Sequence, residues 1–324
     1  MTQKTLITGG AGFIGSHLAQ RLRQQGRSLI LVDNLSTGRR SNIESLIGPD
    51  CQFIEADAAQ ALADSPWLDD VVEIYHLAAA VGVKRVVDDP AGMMTNNIDQ
   101  TLAVIQAAKR IGAALLITSS SEVYGKCPIL PLHEDMELVY GPTTASRWGY
   151  GMTKAIDEHL AIDYHRRHGL RAVVVRLFNT IGPRQVGHYG MVVPRFVAAA
   201  CANQPISVYG DGEQTRAFCD VRDVTWAMTQ LLSQPQCAGR VFNIGSTRQI
   251  TINELADLVL TLSGSTAGIC HVPYEQVYGP DFEDPPHRLP DVTRVVQAIG
   301  FKRRYTLEQS ILELVHHAQA STTA

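Results

Sequence analysis

Short apolar segments alternate with longer amphipathic segments over residues 1–178 of the chain. The apolar segments have the length of buried strands and cover residues 5–8, 28–32, 52–55, 73–77, 113–118 and 171–176. Between them, residues 16–25 and 91–110 show the periodicity of helices. Strands that alternate with helices pair in parallel and are covered on both faces. The pattern therefore predicts an α/β fold with a doubly wound parallel sheet.

The pattern changes after residue 178, where Gly, Pro and polar residues interrupt it. Helices are predicted for residues 192–202, 224–232 and 251–262, and a strand for residues 241–244. We predict that residues 1–178 form one domain and that residues 222–247 rejoin its sheet. Residues 179–221 and 248–324 then form a smaller, interrupted lobe over the carboxyl edge of the sheet.

Three glycines follow the first strand with the spacing of a phosphate-binding loop. Gly9, Gly12 and Gly15 lie between the strand and the helical segment 16–25. Glycine lets the backbone turn tightly and approach a pyrophosphate, and the helix N-terminus then presents amide N–H groups to that anion. Asp33 ends the second strand about 20 residues further on, which suits an acid that binds the adenosine ribose hydroxyls. The pattern predicts a Rossmann-like dinucleotide site.

The acid at the end of the second strand also indicates which dinucleotide binds. The carboxylate of Asp33 repels a 2′-phosphate, so NAD is favoured over NADP. Arg39 and Arg40 follow closely and leave NADP as the alternative. Asp57 comes just after the third strand, where it could contact the adenine or cap the next helix.

Composition narrows the class of protein. A net charge of −4 and an isoelectric point of about 6.3 argue against nucleic acid as a partner. The six cysteines are scattered without metal-binding spacing, so we expect reduced thiols and no metal site. The chain starts with a strand rather than a signal peptide and has no apolar run long enough to span a membrane. We expect a cytoplasmic protein without a membrane partner.

Tyr150 and Lys154 lie four residues apart in a segment of helical character. This spacing places them on one face of the helix. A free phenol has a pKa of roughly 10, and an ammonium group nearby favours the phenolate. Ser120, just after the strand at residues 113–118, could hydrogen-bond the same substrate hydroxyl. These three residues predict a site that removes a proton from an alcohol while hydride leaves the carbon of that alcohol. The alternative is an amphipathic helix with a surface lysine.

Several motifs follow one another along nearly the whole chain. They are T-G-G-A-G-F-I-G (8–15), D-N-L-S-T-G (33–38), H-L-A-A (76–79), S-S-S-E-V-Y-G (119–125), Y-G-M-T-K (150–154), R-L-F-N-T-I-G-P-R (176–184) and V-Y-G-D-G-E-Q-T-R (208–216). In this order they resemble the extended short-chain dehydrogenase/reductases, the family of NAD-dependent nucleotide-sugar epimerases, dehydratases and decarboxylases. The resemblance implies an enzyme with bound NAD, a UDP-sugar substrate and a homodimer assembled through helices of the Rossmann half.

The same resemblance assigns residues to sites. It implies catalytic roles for Ser120, Glu122, Tyr150, Lys154 and Arg288. It implies a cofactor site of Gly9, Gly12, Phe13, Ile14, Gly15, Asp33, Asn34, Ser36, Thr37, Gly38, Asp57, Ala58, Leu77, Ala78, Ala79, Tyr150 and Lys154. It implies a substrate site of Arg147, Asn179, Val193, Tyr209, Arg216 and Arg288. Lys84 follows the alanine-rich segment 78–80 and could bind a uronate carboxylate in the same site; the alternative is a surface charge. An aromatic ring suits stacking on the base and arginine suits the diphosphate, so the smaller lobe is expected to bind the nucleotide sugar.

Glu122 distinguishes the reactions within this family. Simple 4-epimerases usually carry a small residue at this position, whereas decarboxylases and dehydratases carry Glu. A 4-keto sugar has an acidic C5, or makes a C5 carboxylate a β-keto acid. A carboxylate near C5 could therefore orient the sugar, remove a proton or help to return one. Ser121 precedes Glu122 at the position where dTDP-glucose-type 4,6-dehydratases use Asp.

Two further segments resemble the UDP-glucuronate decarboxylases: S-R-W (146–148) before Tyr150, and D-P-P-H-R-L-P-D (284–291) around Arg288. We therefore predict decarboxylation of UDP-glucuronate to UDP-xylose through a transient 4-keto sugar, with hydride returned to C4. Tyr150 is then the base for the C4 hydroxyl, and Lys154 lowers its pKa and holds the nicotinamide ribose. The alternatives are a UDP-hexose or UDP-uronate 4-epimerase, a nucleotide-sugar 4,6-dehydratase and a non-catalytic dinucleotide sensor.

Overall fold

The apolar segments that alternate with helices along the chain form the strands of a central sheet. The structure, a computed structural model, describes residues 3–63, 65–80, 89–187, 191–278 and 285–322. The strands are β1 Lys4–Thr8, β2 Ser28–Asp33, β3 Cys51–Glu55, β4 Val71–His76, β5 Ala114–Ser120, β6 Ala172–Leu177, β7 Thr180–Ile181, β8 Ile206–Tyr209, β9 Thr215–Ala217, β10 Cys219–Asp220, β11 Arg240–Ile244, β12 Gln249–Thr251 and β13 Ile269–Val272. The helices are α1 Phe13–Gln24, α2 Ala58–Leu62, α3 Pro90–Ile111, α4 Gly149–His168, α5 Val192–Cys201, α6 Val221–Ser233, α7 Ile252–Ser263, α8 Tyr274–Tyr278, α9 Thr293–Ile299 and α10 Leu307–Thr322.

In the described ranges, seven strands pair in parallel in the order β11-β6-β5-β4-β1-β2-β3. Helices cover both faces, and the predicted Rossmann-like, doubly wound sheet is confirmed. The strand order reverses between β1 and β4, since the chain builds the sheet outward from β1 in both directions. A reversal of this kind leaves a crevice outside the carboxyl ends of the strands, where such folds bind ligands.

Burial on both faces explains why these strands read as continuous apolar runs. Every residue of β2 is buried. Leu29 and Leu31 belong to the core on one face of the sheet, and Ile30 and Val32 belong to the core on the other. Side chains of a strand alternate between faces, so one apolar segment supplies both cores.

Two long helices on one face position the residues of interest. In α3, the side chain of Asp89 accepts a hydrogen bond from the amide of Gly92 (2.9 Å), and Gly112 ends the helix with a φ of 71°. In α4, Gly169 ends the helix with a φ of 67°. Glycine adopts this left-handed conformation without strain. The helices pack side by side, and α4 places Tyr150 in its first turn.

The remaining elements form a smaller layer at the carboxyl edge of the sheet. Its strand pairs are β7 with β10, β8 with β13 and β9 with β12, and residues of α5, α7 and α10 share a separate apolar core. As expected for residues 241–244, β11 pairs with β6 at the edge of the large sheet. The boundaries between the two predicted domains stay a prediction. Among the described residues, no helix is both long and apolar enough to cross a membrane.

Candidate active site

A cavity of about 720 Å³ extends along the carboxyl edge of the sheet, from the glycine loop after β1 to the smaller lobe. Its volume is typical of a pocket that holds a small organic ligand. All the residues that the sequence assigned to the sites line it, with two exceptions. Lys84 lies outside the described residues. Gly38 lies behind the cavity wall, where a Cβ would come within 2.8 Å of both carboxylate oxygens of Asp33.

The glycine loop is shaped to let another molecule approach its backbone. Gly9 has a φ of 72°, and a Cβ on it would lie 2.8 Å from the amide nitrogen of Ala78. A Cβ on Gly15 would lie 2.0 Å from the carbonyl oxygen of Gly9. The loop can therefore fold back on the start of α1 only without side chains at these positions. Amide groups at the N-terminus of α1 then face the cavity, which suits a pyrophosphate.

The carboxylate of Asp33 lies beside the glycine loop in the same crevice. Its Oδ2 accepts a hydrogen bond from the amide of Ala11 (3.0 Å), and its Oδ1 accepts one from the amide of Leu35 (2.8 Å). Burial raises the pKa of Asp33, and these backbone hydrogen bonds oppose the rise. Each oxygen keeps a lone pair for a ribose hydroxyl. The glycine loop and this acid together fit NAD.

The predicted redox residues meet where β5 and α4 approach each other. Ser120 ends β5, and its Oγ accepts a hydrogen bond from the amide of Glu122 (3.2 Å). Lys154 is buried, and its Nζ donates to Oδ2 of Asp157 (3.0 Å). It is therefore not the surface lysine of the alternative interpretation. Burial raises the pKa of Tyr150; Lys154 opposes this rise, while the carboxylates of Glu122 and Asp157 add to it.

The pKa of Tyr150 differs from the sequence-based expectation. Lys154 acts in the expected direction, but burial outweighs it, so the phenol has a pKa above its ordinary value. Burial would likewise lower the pKa of Lys154, but the Asp157 carboxylate reverses this effect and the pKa lies above its ordinary value. Lys154 is thus an ammonium ion at neutral pH.

Glu122 lies between two arginines that come from distant parts of the chain. Its Oε2 is 2.5 Å from Nη1 of Arg147, and its Oε1 accepts a hydrogen bond from Nη1 of Arg288. All three side chains are at most one-fifth exposed. Burial would raise the pKa of Glu122, but the guanidinium groups of Arg288 and Arg147 hold it far below its ordinary value. Glu122 is therefore an ionised carboxylate held between two guanidinium groups.

Short irregular segments hold this cluster in place. Glu122 lies in a 3₁₀ turn at 121–124, directly after β5, and Arg147 lies in a second 3₁₀ turn, directly before α4. The segment that carries Arg288 is fixed by the amide of Leu132, which donates to the carbonyl of Leu289 (2.8 Å). The amide of Asp291 donates back to the carbonyl of Leu132 (2.8 Å).

The other end of the cavity contains the residues expected to hold the nucleotide. Arg216 is buried, and its Nη1 donates to the carbonyl oxygens of Thr215 (2.8 Å) and Pro286 (3.2 Å). Tyr209 lies at the end of β8, and the guanidinium carbon of Arg195 lies 3.7 Å from the centre of its ring. Asn179 and Val193 complete this end of the wall.

Sequence reasoning missed several residues that line the cavity. They include Asn96, Gln185, Met191, Arg195, Gln214 and Tyr274. Gln214 could have been found, because it lies two residues before Arg216 in an extended segment and shares its side. Its Nε2 donates to the carbonyl of Tyr209 (3.0 Å) and to the hydroxyl of Tyr274 (2.9 Å). Nothing in the local pattern around residue 274 pointed to this site.

Comparison with known proteins agrees with this geometry. A family model described as the NAD dependent epimerase/dehydratase family matches residues 5–245. The chain belongs to this family. It is therefore an NAD-dependent enzyme, as the motifs predicted, and the family's substrates are nucleotide sugars.

Curated relatives extend over nearly the whole chain. A UDP-N-acetyl-alpha-D-glucosaminuronate decarboxylase of Bacillus cytotoxicus is 37% identical over 320 residues, which cover 97% of this chain and 97% of the relative. UDP-glucuronic acid decarboxylase 2 of Arabidopsis thaliana is 36% identical over 313 residues, which cover 95% of this chain and 66% of the relative.

Solved structures of the family share the whole fold. A UDP-glucuronic acid 4-epimerase from Bacillus cereus, in complex with UDP-glucuronic acid and NAD, superposes with a TM-score of 0.86 and is 27% identical. The match covers 98% of this chain and 100% of the epimerase. The dTDP-glucose 4,6-dehydratase DesIV from Streptomyces venezuelae gives a TM-score of 0.87 at 25% identity, with 99% of this chain and 98% of the dehydratase covered.

Proposed function

We propose that this enzyme decarboxylates a UDP-linked uronate, with UDP-glucuronate as substrate and UDP-xylose as product. The observation that carries the proposal is the pair of arginines at Glu122. Arg147 and Arg288 line the cavity together with Tyr150, and guanidinium N–H donors suit the carboxylate at C5 of a uronate. A neutral hexose has no anionic group at C5 for these donors.

The chain's own residues account for the first proton transfer. In its phenolate form Tyr150 accepts the proton of the C4 hydroxyl, and Ser120 hydrogen-bonds that oxygen. Lys154 stabilises the phenolate and holds the nicotinamide ribose. When bound, NAD supplies a hydride acceptor for C4 and afterwards a hydride donor, so the reaction has no net redox change.

The 4-keto sugar is a β-keto acid, because its keto carbon lies two bonds from the carboxylate. Arg147 and Arg288 hold that carboxylate until the C5–C6 bond breaks. Carbon dioxide leaves, and the bonding electrons pass into an enolate whose oxygen, at C4, faces Tyr150 and Ser120. A proton from solvent then adds to C5, and Tyr150 returns its proton to the C4 oxygen as C4 is reduced again.

Glu122 orients the two arginines in this mechanism. The sequence left three roles open for this carboxylate: to orient the sugar, to remove a proton or to return one. A carboxylate with so low a pKa is a weak base and has no proton to donate at neutral pH. We therefore assign it the orienting role, exerted through Arg147 and Arg288.

One experiment tests both which uronate is the substrate and whether it is decarboxylated or epimerised. The purified enzyme is incubated with NAD and with either UDP-glucuronate or UDP-N-acetylglucosaminuronate, and the nucleotide sugars are followed by mass spectrometry. We expect loss of the mass of carbon dioxide from UDP-glucuronate. Loss from the acetamido sugar alone would correct the substrate, and an isomer of unchanged mass would replace decarboxylation by 4-epimerisation.

Matched tyrosine variants complete this experiment. Tyr150→Phe should abolish turnover, because no other group accepts the C4 proton. Tyr164→Phe changes a tyrosine on the same helix whose ring packs on His168, and it should leave turnover unchanged. Full turnover by Tyr150→Phe would contradict the mechanism and favour a different base.

The proposal also includes the predicted homodimer and its cytoplasmic location. The family resemblance places the dimer contact on helices of the NAD-binding half, where α3 and α4 lie side by side. Light scattering of the purified enzyme should give twice the mass of one chain, and the mass of a single chain would contradict the dimer. Fractionation of the source cells should recover the enzyme with the cytoplasmic proteins rather than with the membranes.

A further inference from the structure

Lys154 forms a buried ion pair within its own helix. Its Nζ lies 3.0 Å from Oδ2 of Asp157, one turn further along α4. The two side chains are 2% and 0% exposed. The other oxygen, Oδ1, accepts no hydrogen bond from any group in the described ranges of the chain. The Asp157 carboxylate is thus directed at Lys154.

The neighbouring acid is engaged in a different way. Both oxygens of Glu158 are bonded to the guanidinium group of Arg176, at 2.9 Å and 2.7 Å, and one of them also accepts a hydrogen bond from Oγ of Ser119 (2.5 Å). Its charge is matched by Arg176. Glu158 also raises the pKa of Lys154, but Asp157 is the carboxylate with the larger effect and the one bonded directly to the ammonium group.

The other titratable groups around Lys154 and Tyr150 do not replace this counter-ion. His76 on β4 is buried between the hydroxyls of Thr8 and Thr101, and burial together with Lys154 lowers its pKa to about 3, so it is neutral. Glu122 raises the pKa of Tyr150 more than Asp157 does, but its carboxylate is bonded to Arg147 and Arg288 rather than to Lys154. Tyr150 itself is neutral until it loses its proton.

We propose that Asp157 is a positioning residue that keeps the Lys154 ammonium group charged and in place, and that it thereby sets the pH range in which Tyr150 exchanges a proton with the substrate. The inference rests on the roles of Tyr150 and Lys154 in the proposed function. A buried ammonium without a counter-ion tends to lose its proton, so the Asp157 carboxylate keeps Lys154 charged beside the phenol.

The direction of the effect follows from the sign of the charge. Negative charge at Asp157 favours the protonated forms of both Lys154 and Tyr150, so it raises both pKa values. Replacing the carboxylate by a neutral amide must lower both. The two groups titrate as a coupled pair, so the whole pH–activity profile moves to lower pH.

The test compares the NAD-bound enzyme with its Asp157→Asn variant, which keeps the shape of the side chain. We expect both limbs of the profile of kcat against pH to move down by about one pH unit. Asp163→Asn is the matched control, since this exposed aspartate lies on the same helix and pairs with Arg167. Its profile should coincide with that of the unmodified enzyme.

A second measurement needs no sugar and separates this inference from the choice of substrate. The tyrosinate absorbance of the NAD-bound enzyme is titrated with pH, and subtraction of the Tyr150→Phe titration isolates one of the ten tyrosines. The Tyr150 transition should move to lower pH in Asp157→Asn. If UDP-glucuronate is not the substrate but this transition moves, the proposed reaction is wrong and the role of Asp157 stands.

A conservative variant distinguishes charge from packing. Asp157→Glu restores the negative charge, so its limbs should return toward those of the unmodified enzyme even where kcat is lower. Unmoved limbs and an unmoved tyrosine transition in Asp157→Asn would overturn the inference. A uniform loss of activity with a lower melting temperature and unmoved limbs would also overturn it, because that result describes a merely structural residue.

Discussion

The carboxylate of Glu122 joins two arginines that come from distant parts of the chain. Arg147 belongs to the turn before α4, and Arg288 belongs to a segment of the smaller lobe. At the scale of single residues, this contact lets the Glu122 carboxylate orient two guanidinium groups. Breaking a buried charge pair leaves the remaining charge without its partner, so removing the Glu122 carboxylate should reduce activity strongly.

Glu122→Gln tests this role. We expect kcat/KM for the uronate to fall about 10²-fold, because the arginines lose the charge that orients them. Glu73→Gln is the matched control: Glu73 pairs with Arg27 at 2.7 Å with similar exposure, but it lies on β4 away from the cavity. Steady-state kinetics that show full activity in Glu122→Gln would contradict both the assignment of Glu122 and the choice of decarboxylation over 4-epimerisation.

The same carboxylate makes stability depend on pH. The pKa of Glu122 in the folded enzyme lies far below its ordinary 4.5, so the unfolded chain takes up the proton first as pH falls. The stabilisation is fully present above pH 4.5 and is lost progressively below it. Urea unfolding at a series of pH values should show a steeper acid loss of free energy of unfolding for the unmodified enzyme than for Glu122→Gln. Equal slopes would contradict the low pKa.

At the scale of elements, the turn from β1 into α1 is the part of the cofactor site with the tightest steric limits. Gly9 and Gly15 touch each other and the segment after β4, so the backbone alone forms the surface that faces a pyrophosphate. A side chain here would push the turn away from α1. The cofactor site therefore requires that Gly9 and Gly15 carry no side chain.

Gly15→Ala should prevent NAD binding, since its Cβ would lie 2.0 Å from the carbonyl oxygen of Gly9. We expect the purified variant to contain no NAD and to bind added NAD at least about 10²-fold more weakly, measured by calorimetry. Gly48→Ala is the control, because nothing lies within 4 Å of a Cβ there. Normal NAD content in Gly15→Ala would show that the loop can relax around the methyl group.

At the scale of the whole molecule, Asn243 ties the sheet to the lobe. It lies on β11, fully buried, and its Nδ2 donates to the carbonyls of Leu132 (2.9 Å) and Asp291 (3.1 Å). Its Oδ1 accepts a hydrogen bond from the hydroxyl of Tyr124 (2.7 Å). The side-chain amide of Asn243 thus bonds to the two segments that position Arg288. It also bonds to the turn that follows β5.

Asn243→Ala should lower both stability and activity. Three polar groups each lose a hydrogen bond, so we expect the free energy of unfolding to fall by about 3 kcal/mol. Arg288 should lose its fixed position, which raises KM for the uronate. Asn253→Ala is the control, because it removes more exposed hydrogen bonds of a side chain to Asp211 and Glu213. It should lower the free energy of unfolding much less. A selective fall in activity of the Asn253 variant would contradict this assignment.

Much of the protein follows from its sequence because the signals are local. Apolar segments of strand length that alternate with helical ones determine a parallel sheet, since only burial on both faces satisfies them. The spacing of Gly9, Gly12 and Gly15 between a strand and a helix determines the dinucleotide loop. The four-residue spacing of Tyr150 and Lys154 determines that both lie on one face of α4.

Only the tertiary structure decided how charges pair around these residues. Arg288 reaches Glu122 across 166 positions of sequence, through an irregular segment whose path no periodicity predicts. The burial that raises the pKa of Tyr150 exists only in the folded protein, and it reversed the direction expected from Lys154 alone. The spacing of Lys154 and Asp157 was visible in the sequence, but the strength of their ion pair depends on its burial away from water. Hydrophobic periodicity specifies which elements form, whereas the dielectric surroundings and partners of each charge exist only once those elements pack.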